Sequence, residues 1–286
     1  MNFTKMEGAG NDFVVVRSSN NKANWADIAI RMCDRHYGIG ADGLIVLLPS
    51  KVADMKMRLF NQDGSESAAC GNGMRCLVKY YLDNQSDIPG KIEVTIETLA
   101  GVRHSSVQRG SGNVFKIQAA MGMPCIGHSD AATNLASLKT QHNSILKQMN
   151  RTLTIKKQKL ELSLITVGNP HAVHFYKGSI SEYPLAEIGP KIEVNRIFPN
   201  KTNFEIARII SRKEVEARVW ERGVGETLAC GTGACAITVA GRLFDYLDSK
   251  VTVHLPGGDL KVEWDGKGQV YLSGPTSTVF EGEYKI

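Results

Sequence analysis

Two cysteines, Cys70 and Cys230, each stand in a Cys-Gly-x-Gly sequence at the start of a predicted helix. A helix N-terminus presents unpaired backbone N–H groups and a partial positive charge, and glycines let a ligand approach these groups closely. A cysteine at such a position is expected to have a lowered pKa, from about 8.5 to somewhere between about 3.5 and 7.5. Each segment is therefore predicted to bind an anion beside a reactive thiol.

The two segments belong to a repeated sequence. Residues 66–74 (ESAACGNGM) recur 160 residues later as residues 226–234 (ETLACGTGA), and the same offset relates Arg58 to Arg218. A duplicated fold is the simplest explanation. It predicts that the two cysteines hold equivalent positions in two similar halves of the chain.

Two equivalent thiols favour a symmetric reaction, such as moving a hydrogen from one face of a carbon atom to the other. A thiolate would remove an α-proton while a thiol on the opposite side donates one, and the substrate carboxylate would rest on both helix N-termini. Two facing thiolates repel each other, so the pair should titrate as a coupled unit that shares one proton. No cofactor, and in particular no pyridoxal phosphate, is required.

The other residues that could react or bind a metal show no comparable pattern. The remaining cysteines, predicted to be core thiols, are Cys33, Cys76, Cys125 and Cys235. No Cys-x-x-Cys pair is present, which argues against a structural zinc site, and no metal site is predicted. Glu66 and Glu226 are expected to support the turns before the two cysteines by hydrogen bonding.

The predicted elements alternate short strands with helices. Trp25, Ile28, Ala29 and Met32 have helical spacing, and this helix is expected to end near residues 37–38. Strands are predicted at 13–16, 44–48, 55–60 and 92–96, a helix from 70 to 81, and a loop with one short helix between 127 and 150. These elements indicate two similar α/β domains.

Residues 38–43 (GIGADG) match the dinucleotide-binding pattern G-x-G-x-x-G. That pattern requires a strand before it and a helix after it. Here a predicted helix precedes the glycines and a predicted strand follows them. A glycine-rich turn is therefore favoured over a nucleotide site.

Composition and charge exclude several protein classes. The chain has 286 residues, of which 42% are hydrophobic and 22% are charged, with a net charge of +5. Its basic residues are scattered, and the densest run, Lys156, Lys157 and Lys159, is typical of an exposed hairpin or loop, so nucleic-acid binding is not expected. The first residues do not form a secretory signal, and the longest strongly apolar run, 44–48, is far too short to span a membrane. A cytoplasmic location is expected, where the cysteines would be thiols.

Several motifs, in the same order, resemble those of the diaminopimelate epimerase family. They are residues 5–13 (KMEGAGNDF), 60–66 (FNQDGSE), 70–76 (CGNGMRC), 168–171 (GNPH), 221–223 (ERG) and 229–233 (ACGTG). The resemblance extends nearly over the whole chain. It implies an α/β (α+β) fold of two pseudo-symmetric domains, each a curled mixed sheet around a central helix. It also implies cofactor-independent interconversion of LL- and meso-2,6-diaminopimelate, in lysine and cell-wall precursor biosynthesis.

The resemblance also implies roles for individual residues. Cys70 and Cys230 would be the acid/base pair, with His171 and Glu221 tuning the two thiols. The residues implied to bind the substrate are Asn11, Asn61, Gly71, Asn72, Asn169, Asn203, Glu221, Arg222, Gly231 and Thr232. A guanidinium such as that of Arg222 matches the geometry of a distal carboxylate.

Family architecture also suggests domain boundaries and a homodimer. The first domain would comprise residues 1–122 together with 274–286, and the second residues 123–273. One departure from the family pattern is Gly43, where some members have Gln, so a contact to the substrate amino group would be lost or replaced here.

Two alternatives remain open on the sequence. One is another two-cysteine racemase, acting on proline or a different amino acid. The other is a protein without enzymatic activity that binds amino acids or senses redox state through a Cys70–Cys230 disulfide.

Overall fold

The computed structural model describes residues 1–68, 70–84, 91–109, 115–127, 133–134 and 142–285. The strands, in chain order, are β1 (Asn2–Gly8), β2 (Asn11–Arg17), β3 (Gly43–Leu48), β4 (Met55–Asn61), β5 (Glu66–Ser67), β6 (Lys91–Thr98), β7 (Gly101–Arg109), β8 (Phe115–Gly122), β9 (Cys125–Ile126), β10 (Thr133–Asn134), β11 (Asn150–Ile155), β12 (Gln158–Val167), β13 (Asn169–Phe175), β14 (Asn203–Ser211), β15 (Glu214–Glu221), β16 (Gly225–Thr227), β17 (Lys250–Leu255), β18 (Gly258–Glu263), β19 (Val270–Ser273) and β20 (Ser277–Glu283). The helices are α1 (Trp25–Cys33), α2 (Gly71–Asp83), α3 (His142–Met149), α4 (Leu185–Glu193) and α5 (Gly231–Leu243).

The chain divides into two compact units. The first unit comprises Met1–Ala120 and Ser273–Ile286, and the second unit comprises Met121–Leu272. The expected domains were residues 1–122 with 274–286, and residues 123–273.

Seven neighbouring strands have the same order and the same relative directions in the two units. In the first unit the order is β20-β1-β2-β3-β4-β6-β7-β8, in which β2 is parallel to β3 and β4 is parallel to β6. In the second unit it is β11-β12-β13-β14-β15-β17-β18, in which β13 is parallel to β14 and β15 is parallel to β17. All the other neighbours in these two orders are antiparallel. The repetition detected in the sequence is therefore a repetition of topology.

One central helix lies against the sheet of each unit. Helix α2 packs against β1, β2, β3 and β4, and α5 packs against β12, β13, β14 and β18. Most residues of α5 and the first eight of α2 are buried. Each central helix is thus enclosed by strands, and the predicted fold class is confirmed.

The register between parallel strands defines which residues are equivalent in the two units. Phe13 faces Gly43 across β2 and β3, and His171 faces Asn203 across β13 and β14. Two residues further along, Val15 faces Ile45. The corresponding pair in the second unit is Val173 and Glu205.

Helix α1 ends earlier than predicted. It ends at Cys33 instead of near residues 37–38. The Asp34 carboxylate accepts hydrogen bonds from the N–H groups of His36 and Tyr37, both at 2.7 Å, and so holds the chain in a turn. As predicted, the glycine-rich segment 38–43 follows a helix and leads into a strand.

Other predicted elements agree with the structure where it describes them. Lys156 and Lys157, both with positive φ, form the two-residue turn between β11 and β12, so the exposed hairpin or loop predicted here is a hairpin. The short helix predicted near residue 144 is α3, whereas most of the loop predicted between 127 and 150 lies outside the described residues. In the part of the chain that the structure describes, none of the helices combines the length and apolar character that crossing a membrane requires.

Helix α4 was not predicted from the sequence, and its packing supports the strand that ends at Glu221. Gly189 of α4 lies under the ring of Trp220, and the indole Nε1 donates to Glu193 Oε2 at 2.9 Å. A methyl group on Gly189 would lie 2.6 Å from Trp220 Cγ. The absence of a side chain at residue 189 therefore allows β15 to approach the helix.

We expect Gly189→Ala to lower the free energy of unfolding by about 1–3 kcal/mol, because the rigid indole cannot move away without disturbing β15. Chemical denaturation followed by far-UV circular dichroism measures the change. The control is Ala186→Gln on the exposed side of the same helix, which should change stability by less than about 0.5 kcal/mol. Equal stability of the two variants would contradict this account of the packing.

Candidate active-site segments

Asn11 is held at the start of β2 by a tight hairpin. The two turn residues, Ala9 and Gly10, have φ values of 55° and 79°. Positive φ at both positions is what a type I′ turn between antiparallel strands requires. Gly8 and Asn11 therefore face each other across β1 and β2.

The side-chain amide of Asn11 links this hairpin to the Cys70 segment. Its oxygen accepts hydrogen bonds from the Cys70 thiol at 3.9 Å and from Asn72 Nδ2 at 3.4 Å. Its nitrogen donates to Asp42 Oδ2 at 2.6 Å. The structure thus brings together three predicted site residues of the first unit, Asn11, Cys70 and Asn72.

Charged side chains fix the strand that carries Asn11. Asp12 forms ion pairs with Lys5 at 2.6 Å and with Arg35 at 2.8 Å. Burial raises the pKa of Asp12, but hydrogen bonds from Arg35 and Lys5 outweigh that effect and lower the pKa to about 2. Asp12 is therefore ionised at neutral pH and anchors the residue next to Asn11.

Cys70 is the N-cap residue of α2, with an extended backbone. The Met74 N–H donates to the Cys70 carbonyl at 2.8 Å, so the N–H groups of Gly71 and Asn72 belong to the first turn of the helix. Donors in a first turn have no acceptor within their own helix and can bind an anion. Ala69, which belongs to the repeated sequence, lies outside the described residues.

Asn61 and Gly43 face each other where β4 ends and β3 begins. Asn61 is exposed, and its Nδ2 donates to Ser65 Oγ at 2.9 Å. A methyl group on Gly43 would lie 2.8 Å from the Phe60 carbonyl oxygen. The backbone therefore leaves no room for a Gln side chain at position 43.

The glutamates that precede the two cysteines form matching ion pairs. Arg58 binds Glu66 through two hydrogen bonds of 2.7 and 2.8 Å. Arg218 binds Glu226 in the same way, at 2.7 and 3.0 Å. Hydrogen bonding by both glutamates in the turns that lead to the cysteines was predicted, and the structure confirms it.

Cys230 is the N-cap residue of α5 and is buried. Its sulfur accepts a hydrogen bond from the Gly233 N–H at 3.4 Å and lies 3.4 Å from Thr232 Oγ1. Gly231 is the first helical residue. The predicted residues Cys230, Gly231 and Thr232 therefore form one helix start, equivalent to that of Cys70.

The pKa of Cys230 differs from the sequence-based expectation. A lowered value was predicted from the helix N-terminus. Burial is the largest effect and raises the pKa of Cys230 well above its usual range. The negative charges of Glu221 and Glu205 raise the pKa further, and the hydrogen bonds with Thr232 and Gly233 offset only part of the increase. Cys230 is therefore a thiol at neutral pH in this structure, and the prediction of a lowered pKa was wrong for this residue.

His171 lies between two oxygen atoms. Its Nδ1 is 2.6 Å from Glu205 Oε1, and its Nε2 is 2.9 Å from Asn169 Oδ1. The side chains of His171 and Glu205 are both 0% exposed. Glu205 was not among the predicted site residues. A signal for it is present in the sequence, because the 160-residue offset pairs the ionisable Glu205 with the apolar Ile45.

Glu221 ends β15 beside the same thiol. It accepts a hydrogen bond from Thr227 Oγ1 at 2.6 Å and forms a side-chain hydrogen bond with Cys230. Burial raises the pKa of Glu221, while the hydrogen bonds from Thr227 and Cys230 lower it by less. A carboxyl group with a raised pKa next to a thiol can accept the thiol proton.

Asn203 and Arg222 form a connected pair at the end of β15. The Asn203 amide accepts a hydrogen bond from the Arg222 N–H at 2.9 Å and donates to the Pro170 carbonyl at 2.7 Å. The Arg222 side chain is exposed, and its Nη1 donates to the Asn200 carbonyl at 3.0 Å. Substrate binding by Asn203 and Arg222 stays a prediction.

Three of the four remaining cysteines, Cys33, Cys76 and Cys235, are buried as predicted, whereas Cys125 is partly exposed. Burial raises the pKa values of Cys33 and Cys76 to about 12. These two thiols are therefore protonated at neutral pH.

Comparison with known proteins supports the interpretation of the sequence motifs. Residues 3–126 and 163–279 match a family model described as diaminopimelate epimerase. The chain is 43% identical over 288 residues to a diaminopimelate epimerase of Methanococcus maripaludis, with 100% of both chains covered. It is 42% identical over 292 residues to a diaminopimelate epimerase of Heliobacterium modesticaldum, again with 100% of both chains covered.

Solved structures of lower sequence identity share the fold. A probable proline racemase from Agrobacterium radiobacter, with bound carbonate, matches with a TM-score of 0.73 at 13% identity, covering 100% of this chain and 93% of that one. A hydroxyproline epimerase from Agrobacterium vitis, with bound trans-4-OH-L-proline, matches with a TM-score of 0.72 at 15% identity, covering 99% and 90%.

We expect Glu221→Gln to lower the pKa of Cys230, because a neutral amide removes the negative charge that disfavours the thiolate. Protein labelled with ¹³C at cysteine Cβ, titrated by NMR, reports the ionisation of each thiol. The Cys230 signal is assigned by its loss in Cys230→Ser. Glu216→Gln, on an outer position of the same strand, should leave the titration unchanged. A Cys230 titration that is identical in wild type and Glu221→Gln would refute the proposed electrostatic coupling.

Proposed function

Because the chain belongs to the diaminopimelate epimerase family, we propose that it interconverts LL- and meso-2,6-diaminopimelate without a cofactor, in lysine and cell-wall precursor biosynthesis. The observation that carries the proposal is the pair of equivalent helix starts, each capped by a cysteine, on a duplicated fold. The relatives that match over the full chain have the same activity in their names.

The proposed chemistry is a two-base proton transfer at one α-carbon. In one direction the thiolate of one cysteine takes the α-proton, so a C–H bond breaks and an S–H bond forms. The thiol of the other cysteine then gives its proton to the opposite face of the carbon, which inverts the centre and leaves a thiolate. Cys70 and Cys230 exchange these roles in the reverse direction. The mechanism requires that both sulfur atoms reach the same carbon.

Backbone N–H groups would stabilise the charge that spreads from the α-carbon into the carboxylate. Gly71 and Asn72 in the first unit, and Gly231 and Thr232 in the second unit, occupy the first turns of α2 and α5. Such donors act most strongly on charge that develops in the transition state. We assign these four residues to the reacting carboxylate.

The remaining side chains are assigned to the reaction and to the distal end of the substrate. Asn11 would contact the substrate near the reacting carbon, because its amide already adjoins the Cys70 thiol. Glu221 would exchange a proton with Cys230, and His171 would tune the same thiol. The residues assigned to the distal amino-acid end are Asn61, Asn169, Asn203, Glu221 and Arg222.

Location and assembly are also part of the proposal. We place the protein in the cytoplasm, where a reducing environment keeps both thiols available for proton transfer.

A homodimer is proposed from the family resemblance. The exposed strand β20 carries two large apolar residues, Val279 and Phe280, which a second copy could cover.

Replacement of either cysteine should abolish turnover, because each face of the carbon needs its own acid or base. We expect Cys70→Ala and Cys230→Ala each to lower kcat for diaminopimelate by about 100-fold or more. Cys125→Ser, which changes a partly exposed cysteine outside both segments, should keep wild-type activity. Near-normal turnover in either alanine variant would overturn the mechanism.

The substrate is tested by incubating the protein with candidate amino acids in deuterated water and following the α-carbon by NMR. We expect label in LL- and meso-diaminopimelate and none in proline. Label in proline, with none in diaminopimelate, would identify a different racemase.

A further inference from the structure

The starts of the two central helices lie over different chemical groups. A methyl group placed on Gly73, three residues after Cys70, would lie 3.3 Å from Ile45 Cδ1 and 3.7 Å from Phe13 Cζ. A methyl group placed on Gly233, three residues after Cys230, would lie 3.0 Å from Glu205 Oε1. Hydrocarbon therefore underlies the first helix start, and a carboxyl group underlies the second.

The strand register shows that the hydrocarbon side chains of the first unit and the ionisable side chains of the second occupy equivalent positions. Phe13 and His171 hold the same place on β2 and β13, because each faces the first residue of the next parallel strand. Ile45 and Glu205 hold the same place on β3 and β14, two residues further along. The apolar pair Phe13 and Ile45 thus corresponds to the ionisable pair His171 and Glu205.

The heavy-atom geometry around His171 indicates one proton shared with Glu205. Both ring nitrogens of His171 face oxygen atoms, Glu205 Oε1 at 2.6 Å and Asn169 Oδ1 at 2.9 Å. An Asn oxygen only accepts, so Nε2 carries a hydrogen and donates it. The remaining proton lies between Nδ1 and Oε1, as an imidazolium beside a carboxylate or as an imidazole beside a carboxylic acid. The pair is electrically neutral in both forms.

Packing alone does not explain this pair. A fully buried ionisable pair is often no more stabilising than hydrocarbon of similar volume, because both groups lose their hydration. The first unit contains such hydrocarbon at the same two positions, so the fold accommodates it. Within the described residues, Glu205 Oε2 also has no hydrogen-bond partner, which adds to the cost of burying the carboxyl group.

The titratable groups around the Cys230 thiol form one electrostatic network. Glu221 on β15 and Glu205 on β14 act directly on Cys230 at the start of α5. His171 on β13 acts on both carboxyl groups. In the first unit, the Cys70 thiol donates a hydrogen bond to the Asn11 amide oxygen at 3.9 Å.

We propose that Glu205 is a positioning residue for proton transfer at Cys230, holding His171 with a proton shared between Nδ1 and Oε1 beneath the thiol. This inference rests on the proposed function. It deepens that function because a positioning residue at Cys230 makes the two catalytic thiols chemically unequal. When Cys230 becomes a base, its S–H bond breaks, an O–H bond forms on Glu221, and the negative charge moves from that carboxylate to sulfur. Although the pair has no net charge, the Glu205 carboxylate acts directly on Cys230 whereas His171 acts on the two carboxyl groups, so loss of the carboxylate favours the thiolate.

The test compares wild type with Glu205→Gln, which keeps the shape of the side chain and removes its acid. In ¹⁵N-histidine-labelled protein we expect a strongly downfield proton on Nδ1 of His171, assigned by its loss in His171→Phe and absent in Glu205→Gln. In ¹³Cβ-cysteine-labelled protein we expect the Cys230 titration to move down by about one pH unit in Glu205→Gln, while the Cys70 titration stays unchanged. The control, Glu214→Gln on an exposed position of β15, should alter neither signal.

Activity supplies a second readout. We expect Glu205→Gln to lower kcat by about tenfold or more and to displace one limb of the pH–rate profile, with KM for diaminopimelate unchanged. The double variant His171→Phe/Glu205→Ile reproduces the hydrocarbon of the first unit and provides a folded comparison if Glu205→Gln is unstable. It should show the same loss of kcat and the same shift of the Cys230 titration.

Unchanged titration of Cys230 in both variants would overturn the inference, as would equal shifts of Cys70 and Cys230. The NMR measurements need no substrate. If the signals change as expected but wild-type protein does not epimerise diaminopimelate, the proposed function fails and the network at Cys230 stands. If wild type is active and the signals do not change, the function stands and the role of Glu205 fails.

Discussion

The structure depends on the start of a helix capped by a cysteine. The N–H groups of a first helical turn have no acceptors within the helix, and the sheet around each central helix fixes where that turn lies. In both units the capping residue has an extended backbone and the helix that follows has 13 residues. The position of the thiol relative to these donors is therefore set by the backbone. This constraint explains why the cysteine and glycines recur together with the topology around them.

The duplication is close in its backbone and incomplete in its side chains. Matching ion pairs, Arg58–Glu66 and Arg218–Glu226, hold the turn before each cysteine. The groups under the two helix starts differ, because Phe13 and Ile45 lie in the first unit where His171 and Glu205 lie in the second. In the proposed reaction such a difference makes the two faces of the reacting carbon chemically unequal.

The sequence predicted the parts of the site that depend on short-range backbone rules. The Cys-Gly-x-Gly helix starts and the glycine-rich turn at 38–43 follow from local propensities and the order of neighbouring elements. The end of α1 was misplaced because the Asp34 carboxylate turns the chain before the glycine is reached. Helix α4 was not predicted. It contains Pro190, and proline is a residue that disfavours the interior of a helix.

Properties that depend on tertiary packing could not be predicted from the sequence. The pKa of Cys230 was expected to be lowered by the helix N-terminus, but burial and two carboxyl groups from β14 and β15 dominate. Glu205 shows no local signal, because its role depends on a histidine 34 residues away in the chain. The lack of space at Gly43 likewise follows from a carbonyl on the neighbouring strand.

The measurement that tests the two-base mechanism most directly is the distribution of deuterium during the first turnovers in deuterated water. With one thiol on each face of the carbon, every molecule of product should carry deuterium at the inverted centre, while the remaining substrate keeps its original hydrogen. Mass spectrometry of LL- and meso-diaminopimelate at low conversion resolves the two pools. Product that retains the original hydrogen would show that one group serves both faces, and would contradict the proposed mechanism.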